Sequence, residues 1–455
     1  MIEKLKSFLS KIDGQYADLR YEIKTETKII FSGKDITEVS ACPTDGFVLR
    51  VIKDKSLASV TFTKEEDFQK ALKTAVNNAE IMSKSKGVPV EFAPAPVVKD
   101  CFILELKENP SKISIEEKID LTRHYNEIPY QIPNIMHTDI VYSEVTREKY
   151  FVSTEGSELS EKLVTTRIAG SIISSDGKIM QTVRVGVGGS NGFAILRNRE
   201  QEFVKKAEIV SKLLKAEPIS GGVYNVILNQ SLAGVFTHEA FGHFSEADLI
   251  ENNPSMREKM RLGAQLGVEI LNIVDDPTQP DQLGFYKYDD EGIQAIPVQL
   301  LKDGVLVGRL HSRRTAKAFN ESINGHCIAE DYHYPPIIRM GTILIQPANT
   351  SFEELLQILG NGLYLCDAMG GQTSGENFTF AAQYGYRVKD GKVTELIRDI
   401  NISGNLYETL NNIQAIANDL KLGEIGGCGK GQTNIRSCYG APHIIIKNAV
   451  IGGAQ

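Results

Sequence analysis

The stretch Leu232-Ala-Gly-Val-Phe-Thr-His238-Glu239-Ala-Phe-Gly-His243-Phe-Ser-Glu246-Ala-Asp248-Leu-Ile250 contains the kernel His-Glu-x-x-x-His. Two imidazoles with a carboxylate beside one of them are parts of a metallohydrolase centre. Neutral ring nitrogens hold Zn2+, and the carboxylate can take a proton from an attacking water. A third ligand and a wall for substrate must then come from elsewhere, so this stretch decides what the rest of the chain has to build. The same residues also occur by chance on ordinary helices, where an imidazole is a satisfied surface or core group.

The spacing is unusual. Ligands four apart on a helix lie roughly 40° from each other, but five apart they lie roughly 140° apart, too far to share an ion on a regular helix. Either a π-bulge absorbs the extra residue, or the helix ends at Gly242, just before the second histidine.

Outward from this kernel the chain is β-rich. Val223 to Leu228 reads as a buried strand leading into it, and Met256 to Gly267 as a second helix. Asp303-Gly304 and Asp390-Gly391 are hairpin signals, while Ser351 to Leu359 and Leu406 to Leu420 have helical spacing. Upstream, Glu217-Pro218-Ile-Ser-Gly221-Gly222 breaks the pattern and marks the main domain boundary, giving 1–217 and 218–455.

In the first part, residues 2–12 read as a helix and Asp18 to Thr63 as an antiparallel sheet. Lys64 to Ser83 is helical, with Phe68, Ala71, Leu72, Ala75, Ala79 and Ile81 assigned to its buried side, and Gly87 to Pro96 is a linker within a sub-boundary near 87–98. Ser114-Ile-Glu-Glu117 is a capping box opening a helix to about Asn126. Ile140 to Phe193 alternates as strands around the turn Asp176-Gly177, and Arg199 to Lys215 is an amphipathic helix.

A chain of 455 residues suggests two or three domains, and 42% hydrophobic with 24% charged residues is a soluble globular composition. Fifty basic against 58 acidic residues give a net charge of −8 without a dense basic run, which argues against nucleic acid as a partner. The N-terminus lacks a signal-peptide core and no run reaches about 18 apolar residues, so neither secretion nor a membrane span is expected and the cytoplasm is the default. Cys42, Cys101, Cys327, Cys366, Cys428 and Cys438 form no CxxC pair, as in a reducing compartment.

Candidates for a third ligand are Glu246, Cys428, Cys438, His311, His326, His333 and His443. Glu246 is the least favoured by spacing, because a remote ligand would tie the kernel to its domain. Cys428 has the most suggestive setting, Gly426-Gly-Cys-Gly-Lys430-Gly-Gln432, where glycines allow close backbone approach and Lys430 could favour a thiolate. A lone cysteine is otherwise a small buried hydrophobe. Gly186-Val-Gly188-Gly189-Ser-Asn191 lacks the last glycine of a dinucleotide loop, Gly429-Lys430 lacks the rest of a phosphate loop, and no Gly-x-Ser-x-Gly elbow is present.

Taken together, His238-Glu-Ala-Phe-Gly-His243 with Glu246-Ala-Asp248, Tyr288-Asp-Asp-Glu-Gly292, Leu310-His-Ser-Arg313, Cys428-Gly-Lys-Gly-Gln432 and the closing Gly452-Gly453 resemble the TldD/PmbA family, once described as modulators of DNA gyrase. The likeness runs over essentially the whole chain and favours the TldD branch, since the PmbA branch lacks the metal ligands. It implies an α+β fold: an N-terminal α/β region with an antiparallel sheet, and a C-terminal antiparallel β-rich domain carrying the metal-binding helix. It further implies a cytoplasmic zinc metalloprotease of unfolded or extended peptides. His238, His243 and Cys428 would hold Zn2+, and Glu239 would act as general base and then general acid. Family members work as dimers, so a homodimer or a pairing with a PmbA-type chain is expected. The chain departs from the family pattern at Arg339-Met-Gly-Thr342, where Gly341 replaces an Asn-type residue.

The rival reading is a non-catalytic partner or gyrase-binding regulator whose metal site is structural or empty. His311 is a weak candidate for an oxyanion stabiliser.

Overall fold

The computed structural model describes residues 1–12, 16–84 and 89–452. Gly87, where the linker was expected to begin, and Gly453 of the closing glycine pair lie outside the described residues.

Three long alternating stretches dominate the first part. Strands Tyr16–Ser32, Asp35–Lys53 and Ser56–Phe62 form an antiparallel meander, joined along Tyr16–Ser32 to Ile135–Ser153 and through it to Glu158–Ser175. Met180–Gly189 pairs antiparallel with one end of Glu158–Ser175, and the short strand Lys99–Ile103 pairs parallel with the other end, completing seven strands. The sheet is antiparallel except for that edge strand.

Helices cover this sheet where the sequence periodicity expects them. Ser114 caps Ile115–Glu127 by accepting the Glu117 amide, and Glu200–Leu213 buries Phe203, Ala207, Val210 and Leu213. Phe68–Ser83 buries Phe68, Ala71, Ala75 and Ala79, but Ile81 is exposed. Two positions past Ala79, Ile81 lies roughly 200° round the helix and faces water.

The second part is an α+β arrangement built on mostly antiparallel strands. Gly362–Ser374, Gly222–Leu228, Ile444–Gly452, Ile400–Asn405 and Asn377–Lys389 pair in that order, and Gly362–Ser374 pairs again with Asn377–Lys389, closing a ring. A six-stranded sheet containing Ile273–Asp275, Thr342–Ile345 and Cys438–Ala441 lies beside it. Three pairings here are parallel: Thr342–Ile345 with Cys438–Ala441, Gly222–Leu228 with Gly362–Ser374, and Glu217–Pro218 with Lys392–Arg398. Asp303-Gly304 and Asp390-Gly391 turn their hairpins with positive φ at both residues, as a two-residue primed turn requires.

Two expected helices are shorter than their periodicity implies. Pro254–Lys259 stops before Gly263, whose φ of 86° leaves the helical region, and the Leu266 and Gly267 amides donate to Gly304 instead. Leu406–Asn411 gives way to strand Ile413–Ile416, whose apolar residues pair with Ile444–Gly452. Burial in a sheet there outweighs local helical spacing.

Among the described residues no helix is long and apolar enough to cross a membrane.

Candidate metal centre

Strand Gly222–Leu228 runs directly into helix Gln230–Ala240, and Asn229 caps the junction by accepting the Leu232 amide at 2.9 Å. The helix lies between the strand ring and the six-stranded sheet, with Phe236 against Phe378 and Phe380 at ring distances of 5.6 and 6.1 Å. His238 and Glu239 sit on its last turn. There is no π-bulge: the helix ends at Ala240, Phe241 takes φ −126°, and Gly242–Ser245 continues as a tighter 3-10 turn carrying His243. A Cβ on Gly242 would strike the Met340 sulfur, so any larger residue here requires the Met340 side chain to move. Ending the helix solves the angular problem posed by the five-residue spacing.

The two imidazoles meet edge to face, centroids 5.1 Å apart at 89°. Cys428 reaches them from a glycine-rich segment that pairs back on itself, its amide and carbonyl bonded to Ile435 at 3.0 Å. Its sulfur lies 3.6 Å from His243 Nε2, and ligand atoms of His238, His243 and Cys428 all lie within 4.8 Å of one another. An ion with Zn–N of about 2.0–2.1 Å and Zn–S of about 2.3 Å at tetrahedral angles would hold a nitrogen and a sulfur about 3.6 Å apart. The donor set therefore fits a zinc ion in chemistry, and its sulfur–nitrogen distance fits in size.

A second observation supports the fit. Both ring nitrogens of His238 are buried and lack any hydrogen-bond partner among the described residues. Every other histidine weighed as a third ligand has an acid or hydroxyl partner: His311 with Glu321 and Thr315, His326 with Asp275, His333 with Asp331, and His443 with Asp419 and Tyr364. Those four are structural. Cys438 is buried in its strand, where burial pushes its thiol up to about 12. His311 is not among the residues lining the cavity described below, which removes it as an oxyanion stabiliser.

Glu246, ranked last as a ligand, has another place. It is fully buried beside His243, Oε2 being 3.4 Å from Nδ1, and it accepts from Arg339 at 3.1 Å and faces Lys430 at 2.9 Å. It thereby fixes the His243 ring with Nε2 towards Cys428, as carboxylates behind metal-ligating histidines do. Burial works against its charge, but Lys430 and Arg339 prevail and hold the carboxyl at about 2. Lys430 serves Glu246 and Asp248, at 2.9 and 2.7 Å, rather than the Cys428 thiol.

The ring charges diverge accordingly. Burial, with the nearby His243 and Arg339, drives His238 well below the ordinary histidine value, so it stays neutral. Burial acts the same way on His243, but Cys428 and Glu246 overcome it and raise it to about 9. A metal ion would displace that proton.

Glu239 faces the same space, its Oε2 3.8 Å from His243 Nε2. Thr373, on strand Gly362–Ser374, donates to the Glu239 carbonyl at 2.6 Å and to Oε2 at 3.2 Å. The sequence reading does not name Arg339 and Thr373 as site residues, and Glu246 enters it only as a candidate ligand. Only Glu246, three past His243, carried a local signal. Gly341 is explained by packing: a Cβ there would lie 2.5 Å from the Pro277 Cβ, and its amide donates to Asp275.

These groups open into a cavity of about 1080 Å3. One wall is the outer stretch of strand Gly362–Ser374, and the facing wall is the Cys428 segment. Strand Gly222–Leu228 pairs only with Leu363 to Leu365, so from Cys366 onward the strand has a partner on one edge alone among the described residues.

The Tyr288-Asp-Asp-Glu-Gly292 motif does not line this cavity. It lies under the N-terminal sheet, where Asp290 meets Arg20, Arg147 and Lys149 at 3.0, 3.1 and 3.0 Å, and Glu291 meets Arg50 at 2.9 Å. Arg313, from the Leu310-His-Ser-Arg motif, donates its amide to Glu291.

Comparison with known proteins returns one family across the chain. The PmbA/TldA metallopeptidase domain 1 matches residues 17–79, the central domain 108–216 and the C-terminal domain 221–453. A metalloprotease of Synechocystis sp. is 34% identical over 99% of this chain and 98% of its own length. A zinc metalloprotease TldD homolog of Saccharolobus solfataricus is 28% identical, covering 97% and 98%. Among solved structures, TldE from Thermococcus kodakarensis superposes with a TM-score of 0.75 over 99% of both chains at 16% identity, a likeness of fold alone.

Proposed function

This chain belongs to the PmbA/TldD metallopeptidase family, and from that premise we propose that it is a zinc-dependent peptidase of unfolded or extended peptides. The observation that carries the reading is the convergence of His238, His243 and Cys428 within 4.8 Å, beside Glu239, in one cavity. Three protein donors suit a catalytic zinc, because structural zinc sites are normally closed by four.

His238, His243 and Cys428 would hold the ion, which when bound supplies Lewis-acid polarisation of the scissile carbonyl and acidification of a water. Glu239 accepts the proton of the attacking water and returns it to the departing amine. Thr373 holds Glu239 in position through one hydroxyl, shared by the Glu239 carbonyl and carboxylate. Glu246 keeps the His243 ring aligned.

The one-sided edge of strand Gly362–Ser374, with Gly370, Gly371 and Thr373 along the cavity, suits an extended peptide that adds as a strand. Such binding uses main-chain groups and asks little of side chains, which fits unfolded substrates. The chain would work as a homodimer or with a PmbA-type partner in the cytoplasm; light scattering of the purified protein, alone and mixed with a PmbA-type chain, tests the assembly.

The deciding experiment measures bound metal and peptide turnover together. About one zinc per chain with cleavage that Glu239→Gln abolishes supports the reading. Full cleavage by the Glu239→Gln protein rejects the role of Glu239, and a chain that binds no metal rejects the centre.

A further inference from the structure

The roof of the cavity belongs to the N-terminal sheet, which contributes Arg167, Ala169 and Arg184. Strand pairing sets Arg167 opposite Gly188, Ala169 opposite Gly186 and Ser171 opposite Arg184. Paired residues share a face and strands alternate with period two, so both arginines stand on one face. Between them lie the small residues Ala169 and Gly186, covered by Ile425 from the Cys428 segment, whose Cγ2 is 2.6 Å from where a Gly186 Cβ would sit. A shallow groove over this face, lined by the same two arginines and Ile425, continues from the cavity.

Neither guanidinium has a hydrogen-bond acceptor or ion-pair partner among the described residues, although Arg20, Arg50 and Arg147 under the same sheet are all paired. Arg184 is exposed to the cavity, and Arg167 is partly buried. Burial draws the Arg167 guanidinium below its ordinary value, while Glu26 acts the other way; Glu26 is itself paired with Lys28 at 3.1 Å.

Position along the cavity wall relates this pair to the reacting groups. Arg184 Nη1 is 4.0 Å from where a Gly370 Cβ would lie, and Glu239 Cγ is 3.1 Å from where a Gly371 Cβ would lie. Bond lengths then limit the distance from the Arg184 guanidinium to the Glu239 side chain to about 14 Å, the span of about four extended residues.

We propose that Arg167 and Arg184 form a carboxylate subsite, which holds an anionic group of the peptide while a peptide bond no more than about four residues away lies against Glu239. The inference rests on the peptidase reading and adds the substrate chemistry. Guanidinium forks match carboxylates in shape and charge, and an unpaired pair of them at a substrate cavity is suited to supply that match. The carboxylate has two sources. A free C-terminus would make the protein release short C-terminal fragments of about four residues or fewer, whereas an Asp or Glu side chain would direct internal cleavage near acidic residues.

The test uses full-length, zinc-loaded protein and four versions of one N-terminally labelled decapeptide: free acid or C-terminal amide, each with Asp or Asn near the centre. KM and kcat are read for cleavage, and Kd by fluorescence anisotropy on the Glu239→Gln protein. The expected result is a preference of about tenfold or more in KM and Kd for one carboxylate form, with kcat little changed. The double variant R167Q/R184Q should lose that preference, and R167K/R184K should restore part of it. Arg184→Gln alone, at an exposed position, serves if the double variant melts early. Cleavage without discrimination, or discrimination that survives in R167Q/R184Q, overturns the subsite and leaves the peptidase reading intact. Discriminating binding without cleavage keeps the subsite and overturns the peptidase reading. Absence of peptide binding by any form overturns the subsite.

Discussion

Beneath the N-terminal sheet and at the base of the cavity the molecule buries polar side chains in two opposite ways. Under the sheet, Asp18, Glu22, Asp290 and Glu291 each face at least one cation between 2.6 and 3.1 Å. At the cavity, His238 is comparably buried but has no protein partner for either nitrogen among the described residues. Burying an unpaired polar group costs on the order of 1–3 kcal/mol, so such groups persist where something other than the fold satisfies them. The paired cluster joins strands Tyr16–Ser32, Asp35–Lys53 and Ile135–Ser153 to the 288–292 segment. The unpaired one is the site at which the proposed zinc would bind.

The largest effect expected on the unpaired side is at Glu239. Replacing it with Gln should lower kcat by about 10^2 to 10^4-fold, the range of a lost general base, while zinc content stays near one per chain and the thermal midpoint hardly moves. His238→Ala or Cys428→Ala should instead release the metal, measured by elemental analysis. If Glu239→Gln lost its zinc as fully as His238→Ala does, the division between ligand and base would fail.

On the paired side, removing one partner leaves buried cations with fewer carboxylates to balance them. Asp290→Asn takes the shared carboxylate from Arg20, Arg147 and Lys149 and leaves Glu22 and Glu161 to face them, and urea unfolding should register a loss of about 1.5–3 kcal/mol. A loss under about 1 kcal/mol would show that Glu22 and Glu161 suffice for these cations and that Asp290 is not the centre of the network. The pH dependence follows the same sign. Burial opposes the Asp290 charge, but Arg147, Arg20 and Lys149 hold its carboxyl well below the usual value. The unfolded chain therefore takes up this proton first as pH falls. The stability is fully present above about pH 4 and declines as acid drops through the lowered native value, and Asp290→Asn should flatten that part of the curve.

How much of this could be read beforehand depends on whether the information is local. The hairpin turns at Asp303 and Asp390 and the Ser114 cap are short-range patterns and lie where the sequence puts them, and the short histidine kernel meets Cys428 in space. The Leu406 to Leu420 helix was misjudged because Ile413 to Ile416 satisfies helical spacing and strand pairing equally well, and only the neighbouring strand Ile444–Gly452 decides. Of the two ways to absorb the five-residue spacing, a π-bulge or a helix end at Gly242, the chain uses the second. Arg339, Thr373, Arg167 and Arg184 enter the site from strands and loops far along the chain, and nothing in their own neighbourhoods marks them. Glu246 was within reach, since a carboxylate one turn past a ligating histidine can orient it, yet it was weighed only as a ligand.

A finer division of the unpaired cluster comes from Glu246. Glu246→Gln keeps the shape but removes the charge behind His243, and zinc affinity, measured against a chelator on folded protein, should weaken about 10 to 100-fold. Unchanged affinity would mean that Arg339 and Lys430, not His243, are what this carboxylate serves.

The smallest expected change is also the most specific, because it touches the base and no ligand. Thr373 donates to the carbonyl and to the carboxylate of Glu239, at 2.6 and 3.2 Å, so the strand that would bind substrate also sets the position of the base. Thr373→Val preserves volume and removes the single O–H that the two contacts share. One net hydrogen bond is worth about 0.5–1.5 kcal/mol, so kcat should fall about 2 to 13-fold, with zinc content unchanged and KM little affected. Thr373→Ser restores the hydroxyl and should recover most of the loss. If the serine variant fell as far as the valine one, the methyl packing of Thr373 rather than its hydroxyl would be what positions Glu239, and the coupling between substrate strand and base would be steric.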